Sequence, residues 1–165
     1  MKRLFQILLL LIPLFCCSQQ SIVDSLERLL PSTTTDSARF RLLYQIGFSY
    51  RYINYDSALF YADKSLLVAQ RNRKELNVAV ALSAKGFILS RLQRLSEAFQ
   101  VLTAALQIAE DPRNKNKFWN NLPPEIKYKD YRLWTLATLH NSLGFFMFSV
   151  DRTDQEAFHF NESVV

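Results

Sequence analysis

The chain contains three glycines, and all three sit in the same dipeptide, Gly-Phe, inside runs of helix-forming residues: "IGFSY" at Gly47, "KGFIL" at Gly86 and "LGFFM" at Gly144. A glycine in a helix interior costs about 1 kcal/mol against alanine, so a repeated one must return something. An alanine follows each at nearly constant distance, Ala58, Ala98 and Ala157, with gaps of eleven, twelve and thirteen residues. That pattern predicts antiparallel helix pairs that touch where one helix offers a hydrogen and the other a methyl, with Gly86 against Ala98 as the model pair. Closer backbones bury more apolar area, at roughly 25 cal/mol per Å². Compact residues follow a turn or two later, Ala62 and Ser65 in the first unit, Leu102 and Ala105 in the second.

The rest of the chain agrees with helices. Apolar residues, 49% of the total, recur at threes and fours, and only five prolines interrupt them. The spacing predicts an all-α chain. A short amphipathic helix falls within residues 19–36, with Ile22, Leu26, Leu29 and Leu30 on one face and Pro31 ending it. Helices follow at about Ser37–Tyr52, Asp56–Arg71 and Lys74–Leu92. Ser96 is the expected cap of the next, which reaches Glu110. "DPRNKNKFWNNLPPE" reads as a loop, a long helix runs from about Ile126 to Ser149, and a last helix ends at Val165. Short turns between helices make neighbours antiparallel, in units of about 37–73, 74–112 and 126–165.

These units resemble the tetratricopeptide repeat, whose helix pair carries a small residue in its first helix and alanines in its second. Residues 79–112 match best, through Leu82, Gly86, Leu89, Ala98, Ala105 and Pro112, although Lys85 stands where a leucine is usual. The first unit matches at Leu43, Ile46, Gly47, Tyr50, Ala58 and Ser65, the third at Leu143, Gly144 and Ala157, with His140 in a usually apolar place. The resemblance implies an αα-superhelix over residues 37–165. It also implies a role, because similar exported segments form the sensor part of bacterial two-component kinases and regulators.

The first eighteen residues stand apart. "MKRLFQILLLLIPLFCCS" has a basic start, an apolar run and small residues at Cys16 and Ser18, the order of a secretory signal peptide cut after Ser18. The apolar run is too short and interrupted for a comfortable membrane span. Both cysteines lie here, so cleavage leaves no disulfide and no cysteine metal site. The rival reading is a lipoprotein acylated on Cys16 or Cys17, although "LFCC" is a loose match to a lipidation motif. Either way the chain is expected to be exported, to a bacterial periplasm or cell envelope. Removing Lys2 and Arg3 from the 20 basic residues leaves 18 against 15 acidic, a net +3. That is too mild and too scattered to imply nucleic acid.

No catalytic arrangement stands out. His140 reads as a packing residue and His159 as an exposed one, with no metal partner at helical spacing. Phosphate-binding glycine loops and nucleophile motifs do not occur, and Asp36, Asp56, Asp63, Glu75 and Asp154 fall where acids cap or solvate helices. Expected are no enzyme, no cofactor and no metal. The resemblance implies instead that the first helices line a concave groove. Carried over, its positions are Arg41, Tyr44, Phe48 and Arg51, then Ser83, Phe87, Ser90 and Arg91, then Asn141, Phe145 and Phe148. Rings with nearby arginines suit an extended peptide, giving flat apolar contact and carboxylate pairing. The alternative, that the rings only pack against the next helix, fits the recurrence equally. Arg113, Lys115 and Lys117 read as a solvated loop, with Trp119 beside them either tucked under it or waiting for a partner.

At the end of the chain, Phe158, Phe160, Val164 and Val165 leave an apolar helix without the polar cap that stacked repeats need. The expectation is a longer protein, or a face covered by a partner or by self-association. The reading is thus a protein- or peptide-binding scaffold or sensor part, touching a membrane only through a lipid anchor or a segment beyond Val165. Its alternative is a structural envelope protein held by lipid on Cys17, without a specific ligand.

Overall fold

The computed structural model describes residues 20–119, 131–152, 159, 162 and 163. Among them are six α-helices and no strand: α1 over residues 20–29, α2 Asp36–Tyr50, α3 Tyr55–Arg71, α4 Glu75–Arg91, α5 Leu95–Glu110 and α6 Tyr131–Ser149. Helices α2 and α3 form one antiparallel pair and α4 and α5 a second; α3 packs on α4, and α6 packs on both α4 and α5. The architecture is the all-α superhelix that the repeats imply. Residues 1–18, read above as a leader, with Cys16 and Cys17, and Ala157, Phe158, Phe160, Val164 and Val165 at the other end, lie outside the described residues.

Local chemistry sets the helix ends. Thr35 Oγ1 accepts the Ala38 N–H at 3.2 Å and Asn54 Oδ1 accepts the Ser57 N–H at 2.9 Å, so α2 and α3 start on side-chain caps. Helix α5 does not. Arg94 holds its N-cap position and Ser96, the expected cap, lies inside the first turn. The cause is the preceding turn. Gln93 is left-handed at φ 59°, its N–H reaches the Ser90 carbonyl at 3.1 Å, and the Arg94 N–H reaches that of Leu89 at 2.9 Å. This double closure of α4 fixes where α5 can begin. The same device ends α3 at Arg73 and α6 at Asp151, with φ 52° and 57°.

Within the pairs, the glycines sit at close approaches. A Cβ on Gly47 would lie 3.3 Å from the Ala58 carbonyl oxygen and 3.3 Å from Tyr61 Cβ. Ala58 is fully buried, so the first glycine and first alanine do meet. At Gly86 the nearest atoms belong to Leu102, one turn beyond Ala98. A Cβ there would fall 2.5 Å from Leu102 Cγ and 2.6 Å from its Cδ2. Helical side chains lean back toward the helix N-terminus, so Leu102 covers the patch that spacing assigns to the alanine a turn earlier. Ala98 and Ala105 are buried beside it in the core shared with Leu139, Leu143 and Phe146 of α6.

Helix α1 is turned from the expected face. Val23, Leu26 and Leu30 pack on Leu42 and Ile46, whereas Ile22 and Leu29 are 53% and 54% exposed. Glu27 lies on the side turned inward, and its Oε1 accepts hydrogen bonds from the Tyr50 and Tyr61 hydroxyls, each at 2.8 Å. Those rings stack at 5.6 Å and present both hydroxyls to α1. Lys85, the departure from the repeat pattern, pairs with Asp63 of α3 at 2.7 Å and so ties the second unit to the first.

The described part of the loop after α5 is held in place. The Leu76 N–H at the start of α4 donates to the Lys117 carbonyl at 3.1 Å, and Asn77 Oδ1 accepts the Trp119 N–H at 3.1 Å. Phe118 stacks on Tyr131 at 4.6 Å and Trp119 lies 5.2 Å from Phe40 of α2. Arg132 of α6 then donates to the last carbonyls of α5, at Ala109 and Glu110, both at 2.8 Å. Those are acceptors a helix end leaves open.

Candidate peptide-binding groove

Helices α2, α4 and α6 present one face to a shared cavity of about 190 Å³. From α2 and its end come Tyr44, Phe48 and Arg51, from α4 Phe87, and from α6 Thr138 and Asn141. Five of the eleven positions carried over from the repeat pattern, Tyr44, Phe48, Arg51, Phe87 and Asn141, therefore meet at one place. Arg51 is the charged member. Its guanidinium lies 3.4 Å over the Phe48 ring, 4.8 Å from Tyr52 and 5.6 Å from Phe87, and its Nη2 donates to the Tyr52 hydroxyl at 2.7 Å. Stacking fixes the plane of the fork and leaves its edge for hydrogen bonding. Burial pushes the Tyr44 phenol above its ordinary value, and the Arg51 charge partly opposes that.

The other carried-over positions behave differently. Phe145 meets Phe87 edge to face at 5.1 Å, so it packs behind a ring that lines the cavity and is not itself a wall. Phe148 is exposed on α6. Ser83 and Ser90 are fully buried and do not reach solvent. Ser83 Oγ shares a hydrogen bond of 2.9 Å with Ser142 Oγ, and Ser90 Oγ donates to the Gly86 carbonyl at 2.8 Å. Their hydroxyls are spent on helix packing, which needs small residues there. Arg91 turns toward α3, its Nε donating to the Tyr55 hydroxyl at 3.0 Å.

Arg41 belongs to a second cavity, of about 140 Å³, that adjoins the first at Tyr44. Its walls are aromatic, from Phe40, Tyr131, Trp134 and Trp119. Repeat spacing could not find it, because Trp119 reaches it from the loop; the one available signal was a tryptophan in an otherwise polar stretch. Trp119 is tucked against Phe40. In the same loop Arg113 forks onto Asp111, with Nη2 to Oδ2 at 2.7 Å, which holds that carboxyl down at about 2. Lys115 and Lys117 are exposed.

Other chemistry is sparse. His140 and His159 do meet, Nδ1 to Nδ1 at 3.1 Å, and His159 is half-buried rather than exposed. Among the described residues no group of three or more His, Cys, Asp or Glu could hold a metal ion. None of the described helices is long and apolar enough to cross a membrane.

Stacked antiparallel pairs, small residues at their seams and a cavity walled by first helices define a tetratricopeptide-repeat module, a class of helical scaffold that generally mediates protein–protein contacts. The family model of the SusR N-terminal TPR domain matches residues 15–122, and the chain belongs to that family. The matched span takes in α1 to α5 and stops before α6. No curated protein and no solved structure matches the chain.

Proposed function

We propose that this chain is a non-enzymatic, peptide-binding repeat domain, exported from a bacterial cell and serving as the sensor part of a signal-transduction protein. The observation that carries the reading is the cavity between α2, α4 and α6, where Phe48 and Phe87 flank a stacked arginine. Phe48 keeps 46% of its surface exposed at that mouth, more than core packing requires. Flat rings and an oriented guanidinium offer an extended chain apolar contact and acceptor recognition at little entropic cost. Membership of a sensor-associated repeat family supports the signalling context. The basic, then apolar, then small-residue order of residues 1–18 supports export.

A photo-reactive residue at position 48, compared with one at exposed Phe99 on α5, tests the groove in the full-length protein. Discrete peptide adducts from position 48 alone are the expected result, and equal labelling from both positions contradicts it. The Phe48→Ala/Phe87→Ala double variant is expected to stay folded by circular dichroism while losing the adducts. Intact-mass analysis of the exported product, with Gln19 as the expected first residue, tests the leader.

A further inference from the structure

Two buried side-chain atoms among the described residues have no hydrogen-bond partner, Arg51 Nε and Ser37 Oγ. Buried polar groups are normally satisfied, and leaving a donor unpaired is costly. Each of these atoms belongs to a wall residue of one of the two adjoining cavities, Arg51 of the first and Ser37 of the second. Tyr44 stands between them as a wall of both. The charged residues described in these walls are Arg51 and Arg41, and no carboxylate lies among them. Arg51 has its face on Phe48 and Nη2 on Tyr52, so the group still short of an acceptor is its buried Nε, beside apolar rings. That donor suits an anionic acceptor, since such a pair strengthens where water is scarce. The second cavity has room for a single side chain, set among Phe40, Trp119 and Trp134.

We infer that the two cavities form one bipartite site for a peptide that carries a carboxylate near an aromatic side chain. The carboxylate pairs with Arg51, and the ring enters the Phe40–Trp119–Trp134 box, where Ser37 bonds an adjacent polar group. This deepens the peptide-binding reading and rests on it.

The test uses the full chain and isothermal titration with three probes. These are an acetylated, amidated tetrapeptide with one phenylalanine and one glutamate, the same peptide with glutamine for glutamate, and N-acetylphenylalanine. The glutamate peptide is expected to bind about ten-fold tighter than the glutamine peptide, as a charge-assisted hydrogen bond implies. Arg51→Gln is expected to bring that ratio to about one, and Arg51→Lys, which keeps the charge without the fork, to leave it intermediate. Melting curves of both variants must match the wild type for the comparison to count, and Tyr52→Phe, which frees the other nitrogen while sparing Arg51, is the second route if they do not. It is expected to keep the preference. Equal binding of the two peptides overturns the anion site and leaves the groove reading standing. Binding of N-acetylphenylalanine alone, lost in Arg51→Gln, keeps the anion site and overturns the peptide as its source. A preference that survives Arg51→Gln, or no binding of any probe at millimolar concentration, overturns the site.

Discussion

An alanine at position 86 would drive its Cβ into Leu102, a side chain with no exposed surface into which to retreat. Helix propensity favours that alanine by about 1 kcal/mol, but overpacking a filled core costs about 1–3 kcal/mol. Gly86→Ala is therefore expected to destabilise the protein in urea titration. Gly47→Ala meets its neighbours at 3.3 Å or more, where a few tenths of an ångström of give are enough. Its propensity gain and packing cost should nearly cancel, so it is expected to be the milder variant. Equal losses would contradict this ordering. The spacing of Gly-Phe and alanine located both seams, because a glycine in a helix already marks a close approach. It did not point to Leu102 at Gly86, because spacing tracks Cα positions, while a leucine covers the turn before its own. In the groove, Tyr44, Phe48, Arg51, Phe87 and Asn141 were legible as one face of successive helices. Ser83 and Ser90 share that face but are small enough to sink into the seams, a difference that depends on helix separation.

Helix α1 shows what an element-scale pattern leaves open. Ile22, Leu26, Leu29 and Leu30 make a plausible stripe, yet the buried stripe is Val23, Leu26 and Leu30. The observed face is the one that brings Glu27 to hydrogen bonds with tyrosines that lie 23 and 34 residues away. Such a tie across helices leaves no periodic trace. Burial, the hydrogen bond to Glu27 and then its negative charge push the Tyr61 phenol up to about 12. Glu27→Ala leaves two half-buried hydroxyls unpaired, an expected loss of about 1–3 kcal/mol. Hydrogen exchange should show amides of residues 20–29 losing protection ahead of α4. Unchanged exchange in α1 would mean that apolar packing alone docks it. Lys85 teaches the converse: it reads as a flaw in the repeat, but its partner Asp63 makes it a link between units.

At the scale of the whole molecule, the two histidines of the chain touch, and between neutral and mildly acid pH the fold acts on the imidazole of His159. Burial, and then the charge of His140, hold His159 below its ordinary value of 6.5. Protonation therefore favours the unfolded chain. The stability that His159 contributes is complete above about pH 6.5 and is lost as the pH falls through its lowered value. The melting temperature is expected to drop between pH 7.5 and 5.5, with a shallower drop in His140→Gln. A flat profile in the wild type would contradict the pairing. The superhelix itself, and the function reading built on it, depend on first helices of successive units facing one cavity. An NOE spectrum of a sample labelled only at phenylalanine tests that most directly, because the Phe87 ring of α4 and the Phe145 ring of α6 stand 5.1 Å apart. Cross-peaks between the two rings, lost in Phe145→Leu, are the predicted result; well-dispersed spectra without them would contradict the stacked arrangement and the groove with it.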